Sequence, residues 1–254
     1  MWFVSPRFLS RVFLALAAAM VLPVAAVAGS YKLVTLEYPP YEYTENGQAK
    51  GLAVEVIREA FKLMNHQVGI EFFPWARSQS MFEDGDVDGI FTFFKTPARE
   101  AITLFGKETV VTQPITFWVR KDSKIEFDGD FAKLKPYSIG VVNKTSYGER
   151  FDTAVKEGLV RTDTANTIEN CIDKLLAGRF DIWVSNRYGA IHEFKRLGKL
   201  AEVRELKLPI QEIPAYLGFS KKRNHTALRD EFDKAMGTLK QNGTYDKLLK
   251  KYTE

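Results

Sequence analysis

The chain has a single cysteine, only three histidines and no large excess of charge of either sign. Cys171 is the only cysteine among 254 residues, which excludes an internal disulfide. The 36 basic and 32 acidic residues leave a formal charge of +4, too close to balance to favour nucleic-acid binding. The histidines are scattered over predicted helices, in neither a metal-ligand spacing nor a Ser/His/Asp arrangement. We therefore expect no metal, no cofactor and no catalytic residue.

The amino-terminal segment carries the chain's one long apolar run and has the features of an export signal. Arg7 and Arg11 form a short basic region, apolar residues cover 12–24, and Ala26-Val27-Ala28 is a small-x-small cleavage site. The run is shorter than the about 20 residues of a membrane-spanning helix. We therefore expect a signal peptide over residues 1–28 and export to the periplasm. Cys171 lies far from that site in a predicted helix, so we expect a buried thiol and no lipid-modified cysteine.

Strands and helices alternate along the rest of the chain. The predicted strands are Tyr31–Leu36, Val68–Phe73, Gly89–Phe93, Ile115–Val119, Ser138–Val142, Asp181–Ser185 and Ala215–Phe219. The first predicted helix begins at Val54. The others are Gln79–Asp84, Thr145–Val155, Asn166–Ala177, Arg187–Leu197, Thr226–Gln241 and Tyr245–Tyr252, and Asn224 is the predicted N-cap of the helix that begins at Thr226. This order predicts parallel strands with right-handed crossovers, and a second α/β unit inserted after the first.

The segment from Gly85 to Arg99 is the most informative part of the chain for function. It predicts a polar turn, a buried strand over Gly89–Phe93, and a turn at Pro97 that places Arg99 beyond the strand's carboxyl end. Small ligands bind at that edge of an open α/β sheet, and a guanidinium offers paired donors that suit a carboxylate. The alternative interpretation is a surface arginine on an ordinary loop.

Seven short motifs, spread over the chain after the signal, carry a resemblance to a known family. They are Tyr38-Pro39-Pro40-Tyr41, Gly51-Leu52, Gly85–Gly89, Thr96-Pro97-Ala98-Arg99, Ile139-Gly140-Val141, Leu176–Asp181 and Asn242–Leu248. In their order and spacing they resemble the family 3 extracellular solute-binding proteins, periplasmic receptors that deliver polar amino acids to ABC transporters.

The resemblance implies an α/β fold of the two-lobe periplasmic binding protein type II class. Lobe 1 would comprise residues 29–117 plus 214–254, and lobe 2 residues 118–213. Two hinge strands, Ile115–Val119 and Ile213–Phe219, would join the lobes, and the ligand would bind in the cleft between them.

The resemblance also implies roles for individual residues. Arg99 matches the position that binds the ligand's α-carboxylate, and Thr92 matches a polar position beside it. Thr145 and Ser146 match a pair at a helix start, where free N–H groups attract an anion. The aromatic pair Tyr38 and Trp75, for which core packing is the alternative role, matches the wall of the site.

Three positions depart from the family pattern. Phe94 stands where Ser or Thr is usual, and Asn186 stands where an acid usually binds the ligand's ammonium group. The first helix begins Gly51-Leu52-Ala53, without the acid often found there. An amide oxygen accepts a hydrogen bond from an ammonium but does not neutralise it. A standard free α-amino acid is therefore a weaker expectation here than for the family at large.

Two further arginines follow predicted strands. Arg77 could join Arg99 in a doubly cationic pocket suited to a dicarboxylate, or it could pair with Glu55 or a nearby aspartate at the rim. Arg187, directly after Asn186, raises the same question in lobe 2.

Three functions follow as hypotheses. The first is a monomeric receptor that captures a small polar or anionic solute, an amino acid or related carboxylate, for an ABC-type permease. The second is an enzyme that resembles cyclohexadienyl dehydratases, with Glu149 or Glu169 as the general acid that this chemistry needs. The third is a sensor subunit that reports the ligand to a membrane kinase.

Overall fold

Strands and helices alternate over residues 28–143 and 145–253, which a computed structural model describes. The predicted signal peptide lies outside these residues, apart from Ala28. The strands in this part of the chain are β1 (Ser30–Thr35), β2 (Tyr43–Glu45), β3 (Gln48–Lys50), β4 (Gln67–Phe72), β5 (Gly89–Phe93), β6 (Thr103–Phe105), β7 (Val111–Arg120), β8 (Ser138–Val142), β9 (Arg161–Ala165), β10 (Ile182–Asn186), β11 (Val203–Glu205) and β12 (Gln211–Ser220). The α-helices are α1 (Leu52–Leu63), α2 (Trp75–Asp84), α3 (Pro97–Ile102), α4 (Glu149–Lys156), α5 (Ile168–Leu176), α6 (Arg187–Arg196), α7 (Thr226–Gln241) and α8 (Thr244–Thr253). Among the described residues, none of these helices combines the length and apolarity that a bilayer crossing requires.

One continuous sheet runs through the molecule in the order β4-β1-β5-β12-β7-β10-β8-β9, with β6 paired to β12 and β11 to β7. In the first half β1 pairs in parallel with β4 and β5, and in the second half β8 pairs in parallel with β9 and β10. These parallel pairs, with helices between the strands, confirm the predicted α/β class. The turn Asn46-Gly47 closes a separate antiparallel hairpin of β2 and β3.

Two long antiparallel strands, β7 and β12, connect the halves. They pair with each other from Val111 opposite Ala215 to Ile115 opposite Gln211. Beyond this stretch β12 pairs with β5 in the first half, and β7 pairs with β10 in the second. Both predicted hinge strands lie within these two strands. The chain therefore passes between the two lobes of the type II binding-protein fold along these two strands.

The buried side chains form separate cores on the two sides of the link. Val111 and Ala215 belong to the core of the first lobe, while Ile115 and Ile210 belong to a core of the second. We propose that the lobes divide within these two short intervals. The division keeps the predicted boundary near residue 214 and moves the other boundary to a point before residue 117.

Helix periodicity explains how the outer layer of the first lobe packs. The apolar side of α7, Leu228, Phe232, Ala235, Met236 and Leu239, is buried at the spacing that the sequence predicted. In the second lobe Cys171 is fully buried on α5, as predicted, and burial raises the pKa of its thiol to about 11. The thiol therefore acts as a small apolar core residue.

Two short helices begin where the sequence predicted a strand end and a turn. Because Pro74 takes the N-cap position of α2, Trp75 and Arg77 lie in the first helical turn rather than at the end of a strand. Arg99 is the third residue of α3, and its N–H donates to Oγ1 of Thr96 at 3.3 Å. The Thr-Pro sequence is a helix-start signal, with the threonine as cap and the proline at the first helical position.

The predicted helix start at Thr145 is wrong by four residues. Helix α4 begins at Glu149, and Gly148 before it has a φ of 93°. A side chain at this glycine would bring its Cβ to 2.4 Å from the amide of Gln211. The segment from residue 145 to 148 is therefore an extended connection that only glycine can finish in this way.

The strands β6, β9 and β11 were not predicted, because β6 and β11 have only three residues each and β9 is polar and mostly exposed. At the start of α7 the N-cap position belongs to His225, whereas Asn224 has left-handed backbone with a φ of 50°. Asparagine tolerates that conformation better than other side chains.

Candidate functional site

A cleft of about 860 Å³ lies between the lobes and is lined by both of them. Eight of the nine predicted ligand-binding residues line it: Tyr38, Trp75, Thr92, Phe94, Arg99, Thr145, Ser146 and Asn186. Much of the remaining wall is aliphatic, from Leu36, Ile115, Val142, Ile168 and Ile213. Thr92 and Asn186 lie at the carboxyl ends of β5 and β10, the edge where an open α/β sheet binds its ligands.

Arg99 is half-buried at this edge and is held from one side. Its Nη1 donates to the carbonyl of Phe94 at 3.1 Å, and its guanidinium carbon lies 4.2 Å from the ring centroid of Phe93 and 5.9 Å from that of Trp75. Burial lowers the pKa of the guanidinium from its ordinary value. In residues 28–143 and 145–253, no carboxylate lies within 4 Å of it. The remaining donors are therefore available to an anion in the cleft.

Thr92 has an unusual backbone conformation at the floor of the cleft. Its φ is 52°, a left-handed value that is rare for a β-branched residue. The ladder between β5 and β12 explains the position, because two residues lie between Ile90 and Phe93 on β5, while only one lies between their partners Gly218 and Tyr216 on β12. Such a bulge redirects one residue, and bulges are enriched beside binding sites.

The aromatic residues of the wall also pack against the lobe-1 core. Tyr38 stacks on Tyr41 with 5.4 Å between ring centroids, and Trp75 meets Phe93 edge to face at 5.8 Å. The two interpretations of Tyr38 and Trp75 are therefore compatible, since each side chain packs against a buried cluster and also lines the cleft. Phe94 adds an apolar surface where a hydroxyl was expected from the family pattern.

Asn186 is engaged in the protein's own structure. Its Oδ1 accepts from the hydroxyl of Tyr41 at 2.9 Å and from the N–H groups of Tyr188 and Gly189 at 3.1 Å. Its Nδ2 donates to Oε1 of Gln113 at 3.3 Å. Asn186 thus caps α6 and ties it to lobe 1 and to β7. An amide oxygen with three donors has no lone pair left for a ligand ammonium.

Thr145 and Ser146 face the cleft without forming the predicted helix-start anion site. The N–H of Thr145 donates to the carbonyl of Val142 at 3.2 Å, and the hydroxyl of Ser146 donates to the carboxylate of Asp152. In the first turn of α4, the N–H of Arg150 donates to Oε1 of Gln211 at 2.9 Å. The two residues can still offer side-chain or carbonyl oxygens to a ligand.

The predicted doubly cationic pocket does not form from Arg77 or Arg187. The guanidinium of Arg77 lies 4.5 Å over the ring of Phe73, and Arg77 does not line the cleft. Glu55, its proposed alternative partner, instead accepts from Lys251 at 2.7 Å and from Tyr252. Arg187 pairs with Glu205 at 2.7 Å.

Charged residues that the sequence analysis did not assign to ligand binding line the cleft as well. Glu37 comes from lobe 1, and Glu169, Glu193 and Arg196 come from lobe 2. Arg196 donates to Glu193 at 2.8 Å and also to Glu169. With Arg99 the described lining holds two arginines and three glutamates, so its formal charge is −1.

The two acids considered for catalysis lie in different parts of the second lobe. Glu169, one of the two acids considered, is paired with Arg196, and Glu149 lines a different groove at the start of α4. In the described residues no three His, Cys, Asp or Glu side chains are grouped as a metal site would require.

Comparison with known proteins agrees with this architecture. The chain is 26% identical over 241 residues to the probable amino-acid-binding protein YxeM of Bacillus subtilis, covering 91% of this chain and 83% of that protein. It is 27% identical over 239 residues to the arginine-binding periplasmic protein of Mannheimia haemolytica, covering 90% and 93% respectively. In fold it is similar to the probable amino-acid ABC transporter extracellular-binding protein ytmK of Bacillus subtilis, with a TM-score of 0.75, 18% identity and coverage of 89% and 97%.

A sequence profile gives the family. The profile of the bacterial extracellular solute-binding proteins, family 3, matches residues 33–254, which include both lobes and both crossing strands. The chain belongs to the bacterial extracellular solute-binding proteins of family 3.

Proposed function

We propose that this solute-binding protein captures a small amino-acid-like molecule, which carries a carboxylate and at least one cationic group, in the cleft between its lobes. The observation that carries the proposal is Arg99, half-buried in a cleft shared by both lobes, with donors available and no carboxylate within 4 Å among the described residues. A ligand carboxylate would supply the missing partner through two charge-assisted hydrogen bonds.

The charges of the cleft favour a cationic amino acid over a dicarboxylate. Three glutamates and two arginines line it, so a ligand that adds two negative charges meets repulsion, whereas an added cation balances the site. Glu193 is the best-placed partner for such a cation, because it lies in the cleft and Arg196 engages only its Oε2, while Oε1 accepts no hydrogen bond among the described residues. The similarity to an arginine-binding periplasmic protein points in the same direction.

Capture requires closure of the lobes around the ligand. A solute held by Arg99 of lobe 1 and Glu193 of lobe 2 gains its second set of contacts only in the closed form, and it stabilises that form by those contacts alone. We further propose that the protein is exported to the periplasm, works as a monomer and delivers its ligand to an ABC-type permease. A membrane sensor kinase is the alternative recipient.

The proposal is tested by a ligand screen on the purified chain from residue 29. Thermal shift against L-arginine, L-lysine, L-glutamine, L-glutamate, succinate and putrescine samples each charge class, and calorimetry then measures the affinity of each positive. A cationic amino acid should bind most tightly and should therefore raise the melting temperature most. A ligand at 100 times its Kd adds about 2.7 kcal/mol to the free energy of unfolding. Putrescine has no carboxylate and succinate has no cation, so neither should bind well.

Small-angle scattering completes the test, because closure around a ligand reduces the radius of gyration. Succinate as the best ligand would contradict the charge argument. Strong binding of putrescine would contradict the carboxylate role of Arg99.

A further inference from the structure

Glu42 lies behind the cleft wall and is fully buried. Its Oε1 is 2.6 Å from Oγ1 of Thr92, and its Oε2 has no hydrogen-bond partner among the described residues. The titratable groups that face it are the carboxylate of Glu37 and the phenols of Tyr38 and Tyr41, and none of these is a cation. A carboxylate in this position would be a buried and unpaired anion, which is strongly unfavourable.

The hydrogen bonds around Thr92 determine where a proton must lie. Its hydroxyl oxygen is 2.6 Å from Oε1 of Glu42 and 2.7 Å from the carbonyl oxygen of Phe91. A threonine hydroxyl has one proton, and a carbonyl can only accept. Both short contacts are satisfied when Thr92 donates to Phe91 and Glu42 donates to Thr92, which requires Glu42 to carry a proton. An ionised Glu42 would leave two acceptor oxygens facing each other at one of these contacts.

We propose that Glu42 is a positioning residue, a neutral carboxylic acid that donates to Thr92 and holds this residue in its left-handed conformation at the floor of the cleft. The proposal rests on the proposed function of that cleft. Burial accounts for the neutral state, since it raises the pKa of Glu42 well above its ordinary value of 4.5. A left-handed β-branched residue persists only where its surroundings fix it, and this hydrogen bond supplies such a constraint.

The backbone of Glu42 extends the same support to a second part of the wall. Its carbonyl accepts from the N–H of Tyr38 at 2.7 Å, and its N–H donates to the carbonyl of Tyr38 at 3.1 Å. One buried residue therefore fixes Tyr38 through the main chain and Thr92 through the side chain. An uncharged acid does this without placing a negative charge behind a site that binds a carboxylate.

Infrared difference spectroscopy on the ligand-free protein tests the protonation state. A protonated carboxylic acid has a carbonyl-stretch band that carboxylates lack. At pH 7 the spectrum of the wild type minus that of Glu42→Gln should contain this band, and Glu37→Gln, which changes an exposed carboxylate nearby, should remove a carboxylate band instead. A carboxylate band lost from Glu42→Gln overturns the proposal.

The positioning role is tested by comparing Glu42→Gln with Glu42→Leu. The amide of glutamine can still donate to Thr92, whereas leucine has a similar volume and no donor. In spectra of protein labelled at threonine, the backbone resonance of Thr92 should stay in place for Glu42→Gln and move for Glu42→Leu. The affinity for the best ligand of the screen should change less than about threefold in the first variant and fall about tenfold in the second.

The outcomes separate the two proposals. If no ligand in the panel binds to the wild type, the proposed function fails, while the infrared and resonance measurements still decide the role of Glu42. If Glu42→Leu does not fold, the infrared band and the unchanged Thr92 resonance of Glu42→Gln still decide it. Equal affinity and equal Thr92 resonances in both variants overturn the positioning role.

Discussion

Replacement of Arg99 by alanine is the most direct perturbation of the site. One Nη of Arg99 already donates to the carbonyl of Phe94 at 3.1 Å, and the ring of Phe93 covers one face of the guanidinium at 4.2 Å. The other donors remain for the ligand. The side chain is thus held in place before binding, so little conformational entropy is lost when a carboxylate arrives.

The size of the effect follows from the bonds that alanine removes. Two hydrogen bonds to a charged group are together worth about 3–4 kcal/mol in a half-buried site. Arg99→Ala should therefore weaken binding by roughly two to three orders of magnitude. Arg99→Lys keeps the charge but loses the paired donors and the flat stacking surface, so its affinity for the ligand should lie between those of the wild type and Arg99→Ala. The ligand-free melting temperature should drop by at most about 4 °C, since the stacking lost is worth about 1 kcal/mol.

Arg77→Ala is the matched control. Its guanidinium also stacks on a phenylalanine, at 4.5 Å from the ring of Phe73, but Arg77 does not line the cleft. Calorimetry at one ionic strength should give a wild-type Kd for Arg77→Ala and a greatly raised Kd for Arg99→Ala. Equal affinities in the two variants would refute the reasoning, whether both bind well or both bind poorly.

Three other variants test separate parts of the structure. Glu193→Gln should weaken the binding of a cationic amino acid about tenfold and leave the binding of glutamine nearly unchanged. Equal losses of affinity for both ligands in calorimetry would contradict a charge role for Glu193. Asn186→Ala should lower the free energy of unfolding by about 2–4 kcal/mol in urea, because it removes a helix cap and leaves the Tyr41 hydroxyl without its acceptor. A loss under about 0.5 kcal/mol would show that solvent replaces those bonds. For Glu42 the folded state retains a proton that the unfolded chain releases above pH 4.5, so the raised pKa contributes stability that is fully present below pH 4.5 and is lost as the pH rises towards the folded value. In that window the wild type should lose about 1.4 kcal/mol per pH unit relative to Glu42→Gln in denaturant titrations, and parallel curves would mean that Glu42 titrates normally.

The fold was predictable where apolar residues form a clear pattern within one segment of the chain. The sixteen residues of α7 have clear periodicity and β5 is a continuous buried run, and Arg99 follows β5 closely enough that its place at the sheet edge could be inferred. The helix starts at Trp75 and Pro97 were also signalled, by a preceding proline and by a Thr-Pro cap. The first signal was interpreted as the end of a strand and the second as a turn.

The chemistry of the cleft was less predictable, because it depends on which side chains the fold brings together. Glu193 and Arg196 have the spacing of an ordinary surface ion pair, and nothing local indicates that their helix face borders a cleft. Asn186 did carry a local signal, since an asparagine directly before a helix is a typical N-cap. Glu42 carried none, because its hydrogen-bond partner Thr92 is fifty residues away along the chain.

The position of Asn186 at the start of α6 determines which contacts a closing motion changes most. Asn186 is bonded to Gln113 on a crossing strand, which is where the closure proposed above would have its hinge. Helix α6 extends from there for ten residues, about 15 Å, to Arg196. A rotation of a few degrees about that hinge would move the start of α6 little and its end at Arg196 more. Substitutions at the far end should therefore alter the rate of ligand release more than the rate of capture, whereas substitutions at the near end should act on the stability of the whole molecule.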